Sequence, residues 1–298
     1  VRTNQGYNFI KSLSPLDLAT ILYMLVSAVY MCFGKACFSA LLPHLVIRIA
    51  IFILIVCLRT LSDKLPTNKT VLFFRNLYPL LFLGFFYTET HYMKNIIFDV
   101  DLDTYFYNAE HRLWSCQPSI EFSKLYNQPW FNELMNIFYF SYYVIIGLSC
   151  VVLYLKASQQ AQKGIFIVVF SFYIYYLIFA VLPVVGPQYH IVNCTSGQTP
   201  PYFFGKLMHF ILTDYEKPTG AFPSSHVGIA IIIAYINYTH LKKLFLVTLP
   251  FVIGICFATV YIKAHYLVDV IAGIISAPLC IMLSGKVYTK FLSYNAKL

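Results

Sequence analysis

The chain has 298 residues, of which 59% are hydrophobic and 11% charged, with a formal net charge of +9 and a mean hydropathy of +0.69. Soluble domains are about 25% charged, so a water-soluble globular fold is excluded. The positive charge is scattered over the connections between apolar runs and forms no basic stripe, so no nucleic-acid partner is expected.

The stretches 134–155, 164–205, 218–241 and 244–262 contain no Asp, Glu, Lys or Arg. A membrane helix needs about 20 apolar residues, whereas a transmembrane β-barrel needs short alternating segments. The expected fold is therefore all-α: a polytopic membrane helix bundle of about eight transmembrane helices with an interfacial amphipathic segment. In chain order the spans fall at roughly 16–33, 41–60, 71–88, 131–155, 164–185, 223–240, 244–262 and 265–285. They form a single membrane domain over 1–298, with a catalytic core at about 70–285 and two extra N-terminal spans at about 16–60. Arg48 interrupts the second span, and Arg75 lies just inside the third. Both are placed to reach cytoplasmic headgroups, and Arg75 is weighed equally for a functional role.

Between the third and fourth spans, 89–130 mixes acids with aromatic residues and reads as an interfacial helix plus loop. Between the fifth and sixth, 186–219 carries Gly186-Pro187, Pro200-Pro201 and Gly205 and reads as a broken, partly re-entrant loop. Lysines orient the whole. Lys64 and Lys69, Lys156 and Lys163, Lys242 and Lys243, and the C-terminal Lys286, Lys290 and Lys297 all fall on one side if the spans number eight. The positive-inside rule makes that side, with both termini, cytoplasmic. Most acids, Glu89 among them, fall on the other side. No cleavable signal peptide is visible.

The eight cysteines form no disulfide framework, and no Cys-x-x-Cys pair suggests zinc. Cys116 and Cys194 lie in outer connections and are the one candidate disulfide, conditional on an oxidising compartment.

The chemistry concentrates near the C-terminus. Residues 220–229 read Gly-Ala-Phe-Pro-Ser-Ser-His-Val-Gly-Ile, and His265 follows 39 residues after His226. In the topology above both histidines open spans at the outer face. Asp269 lies four residues after His265, which on a helix is about 40° of rotation and one turn of rise, so the side chains would meet. A carboxylate accepting one imidazole N–H fixes the tautomer and raises the basicity of the other nitrogen. That nitrogen could attack phosphorus or take a proton from a hydroxyl, while His226 protonates the leaving oxygen. Ser224 and Ser225 supply hydroxyls and N–H groups at a helix start, a natural anion site. An intramembrane aspartate is costly and marks function. A metal site built on His265 and Asp269 is the alternative, but His226 is the only further ligand nearby.

Phe222-Pro-Ser-Ser-His226 and His265-x3-Asp269 resemble the second and third motifs of the type 2 phosphatidic acid phosphatase superfamily. The closer likeness is to its inositol phosphorylceramide synthase-like branch. Supporting segments are Phe74-Arg-Asn-Leu-Tyr-Pro79, Phe138-Tyr-Phe-Ser-Tyr-Tyr143 and Leu182-Pro-Val-Val-Gly-Pro187. The resemblance implies His265 as nucleophile, Asp269 as its orienting partner and His226 as acid and then base, with no metal or other cofactor. It implies transfer of an inositol-phosphate headgroup from a phospholipid donor to a ceramide-like acceptor in the bilayer, or, with water as acceptor, a lipid phosphate phosphatase. The chain departs from the phosphatase pattern. Ala258-Thr259 stand where Ser-Arg is usual before the third-motif histidine, and the first motif is not recognisable. Lys263, Lys217 and Gln188 are the candidates for the missing phosphate clamp. A transporter is the competing class, but the inverted repeats typical of transporters are not visible.

Overall fold

In a computed structural model the described residues are 13–35, 38–191, 202–215 and 217–297. All regular structure among them is helical. That follows from the composition: in hydrocarbon a backbone must satisfy its own N–H and C=O groups, which a helix does within one segment. The helices are α1 (Pro15–Met31), α2 (Phe38–Lys64), α3 (Lys69–Met93), α4 (Asp103–Trp114), α5 (Pro118–Leu125), α6 (Pro129–Lys156), α7 (Ser158–Val181), α8 (Pro187–His190), α9 (Phe203–Phe210), α10 (Ser225–His240), α11 (Lys242–Tyr261) and α12 (Leu267–Lys297). A π-turn, Ile211–Tyr215, extends α9.

The eight expected spans each coincide with a helix. Six of these are long and apolar enough to cross a membrane: α2, α3, α6, α7, α11 and α12. The other two are shorter, α1 with 17 residues and α10 with 16. Side chains start them where they do. Ser14 and Asp17 form a reciprocal capping box at α1, and the Ser224 hydroxyl caps α10. α7 is the most enclosed of the six long helices, and α1, α3, α6, α10 and α12 pack around it.

Two arginines tie the N-terminal helices to this core. Arg48 is buried and donates from Nε and Nη2 to the two carboxylate oxygens of Glu89, at 2.9 and 2.7 Å. It also donates to the Met24 carbonyl and to Ser27 Oγ, and His44 Nδ1 lies 3.3 Å from Glu89. This corrects two sequence expectations. Arg48 neither interrupts α2 nor reaches headgroups, and Glu89 is no loop residue, because α3 runs on to Met93. A charge this deep persists only when paired, and each supplies the other's partner. Arg75 pairs in the same way with Asp17 at 3.2 Å, and Asp17 also accepts from Tyr78.

The segment 89–130 holds α4 and α5, as its amphipathic composition suggests. The connection 186–219 is more regular than expected. The Glu133 carboxylate accepts from the N–H groups of Phe204 and Gly205, capping α9 where the N-terminal amides lack intrahelical partners. Cys194 lies outside the described residues.

Candidate active site

His226 is the second residue of α10, placed there by the Ser224 cap. His265 lies in the turn between α11 and α12. That turn is shaped by Lys263, whose φ of 65° is left-handed, and by Gly186, whose φ is 95°. A Cβ on Gly186 would stand 2.5 Å from the Ala264 carbonyl oxygen, so only glycine allows this approach. The Gln188 N–H donates to the Lys263 carbonyl, and the Ala221 N–H to Val184. Three connections, 182–191, 219–224 and 262–266, are thus stitched together by their own backbones.

The histidines meet inside this frame. His265 Nε2 lies 3.2 Å from His226 Nδ1, and His265 Nδ1 lies 2.8 Å from the Ala221 carbonyl oxygen. A carbonyl only accepts, so His265 carries its proton on Nδ1 and its lone pair on Nε2. The proton between the rings therefore belongs to His226 Nδ1. His226 Nε2 has no hydrogen-bond partner among the described residues. The rings of Tyr139 and Tyr142 flank His226 at centroid distances of 4.7 and 4.3 Å and hold its orientation.

Asp269 takes a different part from the one its spacing suggests. His265 is in the turn and not on α12, so the two are not related by one helical turn. Asp269 Oδ2 accepts from the Tyr266 N–H at 2.8 Å, half of a capping box at the start of α12. It stands 3.6 Å from His265 Nδ1, beyond hydrogen-bond length but close enough for its charge to favour an imidazolium. The orienting hydrogen bond is made by Ala221, a backbone group that no side-chain pattern reveals.

The remaining expected residues divide. Gln188 lines a small cavity with both histidines. Ser225 and His226 both line a larger one. The Ser224 hydroxyl accepts from the Val227 N–H, and its own N–H donates to the Asp269 carbonyl, so this serine builds the site's frame. Lys263 is buried two residues before His265. Lys217 is exposed and lines neither cavity that contains a histidine. Ala258 and Thr259 are fully buried, and the Thr259 carbonyl accepts from the His265 N–H. Among the described residues no group of three or more His, Cys, Asp or Glu side chains is arranged to hold a metal ion.

Two carboxylates that sequence reading passed over hold the frame from outside. Asp103 accepts from the N–H groups of Val185 and Gly186 at 2.8 and 2.9 Å. Glu110 accepts from the Val268 N–H at 3.2 Å, in the first turn of α12. They are seven residues apart on α4, two turns, and so on one face. That spacing of acids on an interfacial helix was the available signal. Burial, and secondarily the Asp269 charge, push Glu110 up to about 7, against the pull of the amides it caps. A carboxyl raised in the folded state favours folding most while protonated. Its contribution is full below about 4.5 and is lost as pH rises through about 7. Thermal stability in detergent is therefore expected to fall between pH 5 and 8, and Glu110→Gln, which keeps an acceptor oxygen, to flatten that fall. An unchanged slope in the variant would show that Glu110 is not its source.

A family model described as the PAP2 superfamily matches residues 105–283. No curated protein and no solved structure matches the chain. The matched segment runs from α4 into α12, covers more than half of the sequence and contains both histidines and Asp269. The chain belongs to the PAP2 superfamily.

Proposed function

We propose that this member of a family of lipid phosphatases and phosphotransferases moves an inositol-phosphate headgroup from phosphatidylinositol, or a similar phospholipid, to a ceramide-like acceptor and releases diacylglycerol. The observation that carries the chemistry is the geometry of the histidine pair: His265 Nδ1 lies 2.8 Å from the Ala221 carbonyl oxygen and His265 Nε2 lies 3.2 Å from His226 Nδ1, which assigns the His265 lone pair to Nε2. In the first step His265 Nε2 attacks phosphorus, a P–N bond forms and the bond to diacylglycerol oxygen breaks. His226 enters this step protonated on both nitrogens; Nδ1 gives its proton to that oxygen and Nε2 keeps the other, leaving a neutral imidazole. The cationic ring of the intermediate is favoured by the Ala221 carbonyl and the Asp269 charge. In the second step His226 takes the proton of the acceptor hydroxyl. The acceptor oxygen attacks phosphorus, and the P–N electron pair returns to His265.

The choice of transfer over hydrolysis is supported by what surrounds the pair. Buried Ala258 and Thr259 stand where the phosphatases of the family carry Ser-Arg, and apolar helices flank the larger cavity that His226 lines. Ser225, Gln188 and Lys263 are proposed to hold the phosphate. The topology proposed with this reading puts the site on the non-cytoplasmic face and both termini in the cytoplasm.

Purified protein in phosphatidylinositol vesicles, with and without ceramide and with and without EDTA, tests this reading. The expected products are inositol phosphorylceramide and diacylglycerol, dependent on ceramide and indifferent to EDTA. Free inositol phosphate or inorganic phosphate as the sole product would assign the chain to hydrolysis. Loss of activity in EDTA, restored by a divalent ion, would replace the histidine nucleophile with a metal mechanism.

A further inference from the structure

Glycines on membrane helices usually let two helices approach, and most on the catalytic helices here do so. A Cβ on Gly228 would stand 1.8 Å from Tyr175 Oη, and one on Gly254 2.3 Å from the Phe138 ring. Gly84 of α3 and Gly147 of α6 are different. A Cβ at either would meet no described heavy atom within 4 Å. Both border one cavity of about 350 Å³, lined also by Leu83, Tyr142, Phe172, Tyr176 and His226. Two of its tyrosine hydroxyls are already engaged: Tyr176 donates to the Leu83 carbonyl and Tyr87 to the Thr219 carbonyl. At its outer rim Leu81 is 70% and Tyr143 39% exposed, on helices that face lipid.

We propose that this cleft between α3 and α6 is the binding site for a hydrocarbon chain of the lipid substrate, and that Gly84 and Gly147 set the chain it accepts by leaving its bore open. The proposal rests on the reading above that the substrate is a lipid. A water-filled role fits poorly, because ordered water needs two to four polar partners and most of the lining is leucine, isoleucine, glycine and aromatic ring, with Ser225 and His226 as its polar exceptions outside the tyrosines. An acyl chain suits all the features together: an apolar bore, an opening on the lipid-facing surface, and in its lining the imidazole that must reach the headgroup. Burial in the cleft would hold the phosphorus beside His265 with binding energy from a remote part of the substrate.

Two measurements test it. The first compares dioleoyl with dihexanoyl phosphatidylinositol, and likewise the two forms of phosphatidic acid, as substrates of wild type, Gly84→Leu and Gly147→Leu. The ratio of kcat/KM, long chain over short, is expected to fall at least about tenfold in each variant, the worth of roughly two methylenes out of contact. An unchanged ratio would overturn the proposal. If a leucine variant does not fold, Gly84→Ala and Gly84→Val give the same reading, with the ratio falling as the side chain grows.

The second does not depend on turnover. Phosphatidylinositol carrying a diazirine in its acyl chain is photolysed with the wild-type protein, and the labelled residues are mapped. Phe172 and Tyr176 are 5% and 3% exposed, so bulk lipid reaches them only through the cleft. Label on these two, lost in the Gly84→Leu/Gly147→Leu double variant, is expected. Label confined to outward-facing residues that do not line the cleft, such as Val144, would overturn the cleft even if the protein proves active on both lipids. Label on Phe172 and Tyr176 without turnover of either lipid would retain the cleft and overturn the proposed reaction.

Discussion

His265→Ala is expected to abolish headgroup transfer and donor hydrolysis together, for every donor tested, because no other group carries a lone pair in the place of Nε2. His226→Ala should behave differently. With a diacylglycerol leaving group the loss should be about 10²- to 10⁴-fold, the usual worth of a general acid. An activated phosphate ester leaves without a proton, so most of its first-step rate should remain. The second step then lacks its base, and a phosphohistidine should accumulate in His226→Ala and be absent from His265→Ala. Rapid-quench phosphoamino-acid analysis reads this directly. Near wild-type hydrolysis of an activated ester by His265→Ala would remove His265 as the nucleophile and leave a single-step transfer. Asp269→Asn is a subtler case than the spacing implied. Its carboxylate caps α12 and acts on His265 through charge at 3.6 Å, so it should slow both steps without changing which nitrogen attacks.

The largest expected effect on folding lies far from the chemistry, at Arg48. Arg48→Met leaves the Glu89 carboxylate buried with, among the described residues, only His44 as an ionic partner. Removing one partner of a buried pair costs about 3–5 kcal/mol. Arg48→Met/Glu89→Leu removes both charges, and most of the loss should return, because an apolar pair of similar volume is often neutral or better. Thermal unfolding of the four proteins in one detergent makes a double-mutant cycle. Losses that simply add would show that the contact between the two side chains contributes nothing. Activity should follow stability here, since neither residue touches the cavities at His226.

Periodicity and charge placed the helices well, because a charge-free run in a membrane protein has few alternatives to a helix. They failed where a partner lies far away in sequence. Nothing near Arg48 announces Glu89, 41 residues on, so a buried ion pair read as a break in one helix and an acid in a loop. At the site, Phe-Pro-Ser-Ser-His and His-x3-Asp were legible as chemistry, and the structure brings His226 and His265 together. The same spacing foresaw Asp269 beside His265, and the two side chains stand 3.6 Å apart; it did not foresee that His265 sits in the turn before α12 and makes its Nδ1 hydrogen bond to the Ala221 carbonyl. Ala221 was invisible for another reason: its carbonyl does the orienting, and every residue but the acceptor's neighbours could have supplied one. Asp103 and Glu110 were legible in principle, as acids two turns apart, but no local pattern tells a capping carboxylate from a solvated one.

The length of α10 sets the depth at which the reaction takes place. Sixteen residues at about 1.5 Å each span about 24 Å, against a hydrocarbon layer of about 30 Å. Lys242 and Lys243 follow its far end, and in the proposed topology they would hold that end at the cytoplasmic surface. His226, at the other end, would then sit below the opposite headgroup plane rather than level with it. In the proposed reaction a phosphate would have to be drawn down to His265, or the bilayer to thin around the protein to bring it there. On that reading a hydrophobic mismatch is carried in the helix that bears His226, and the thickness of the host membrane becomes part of the reaction coordinate.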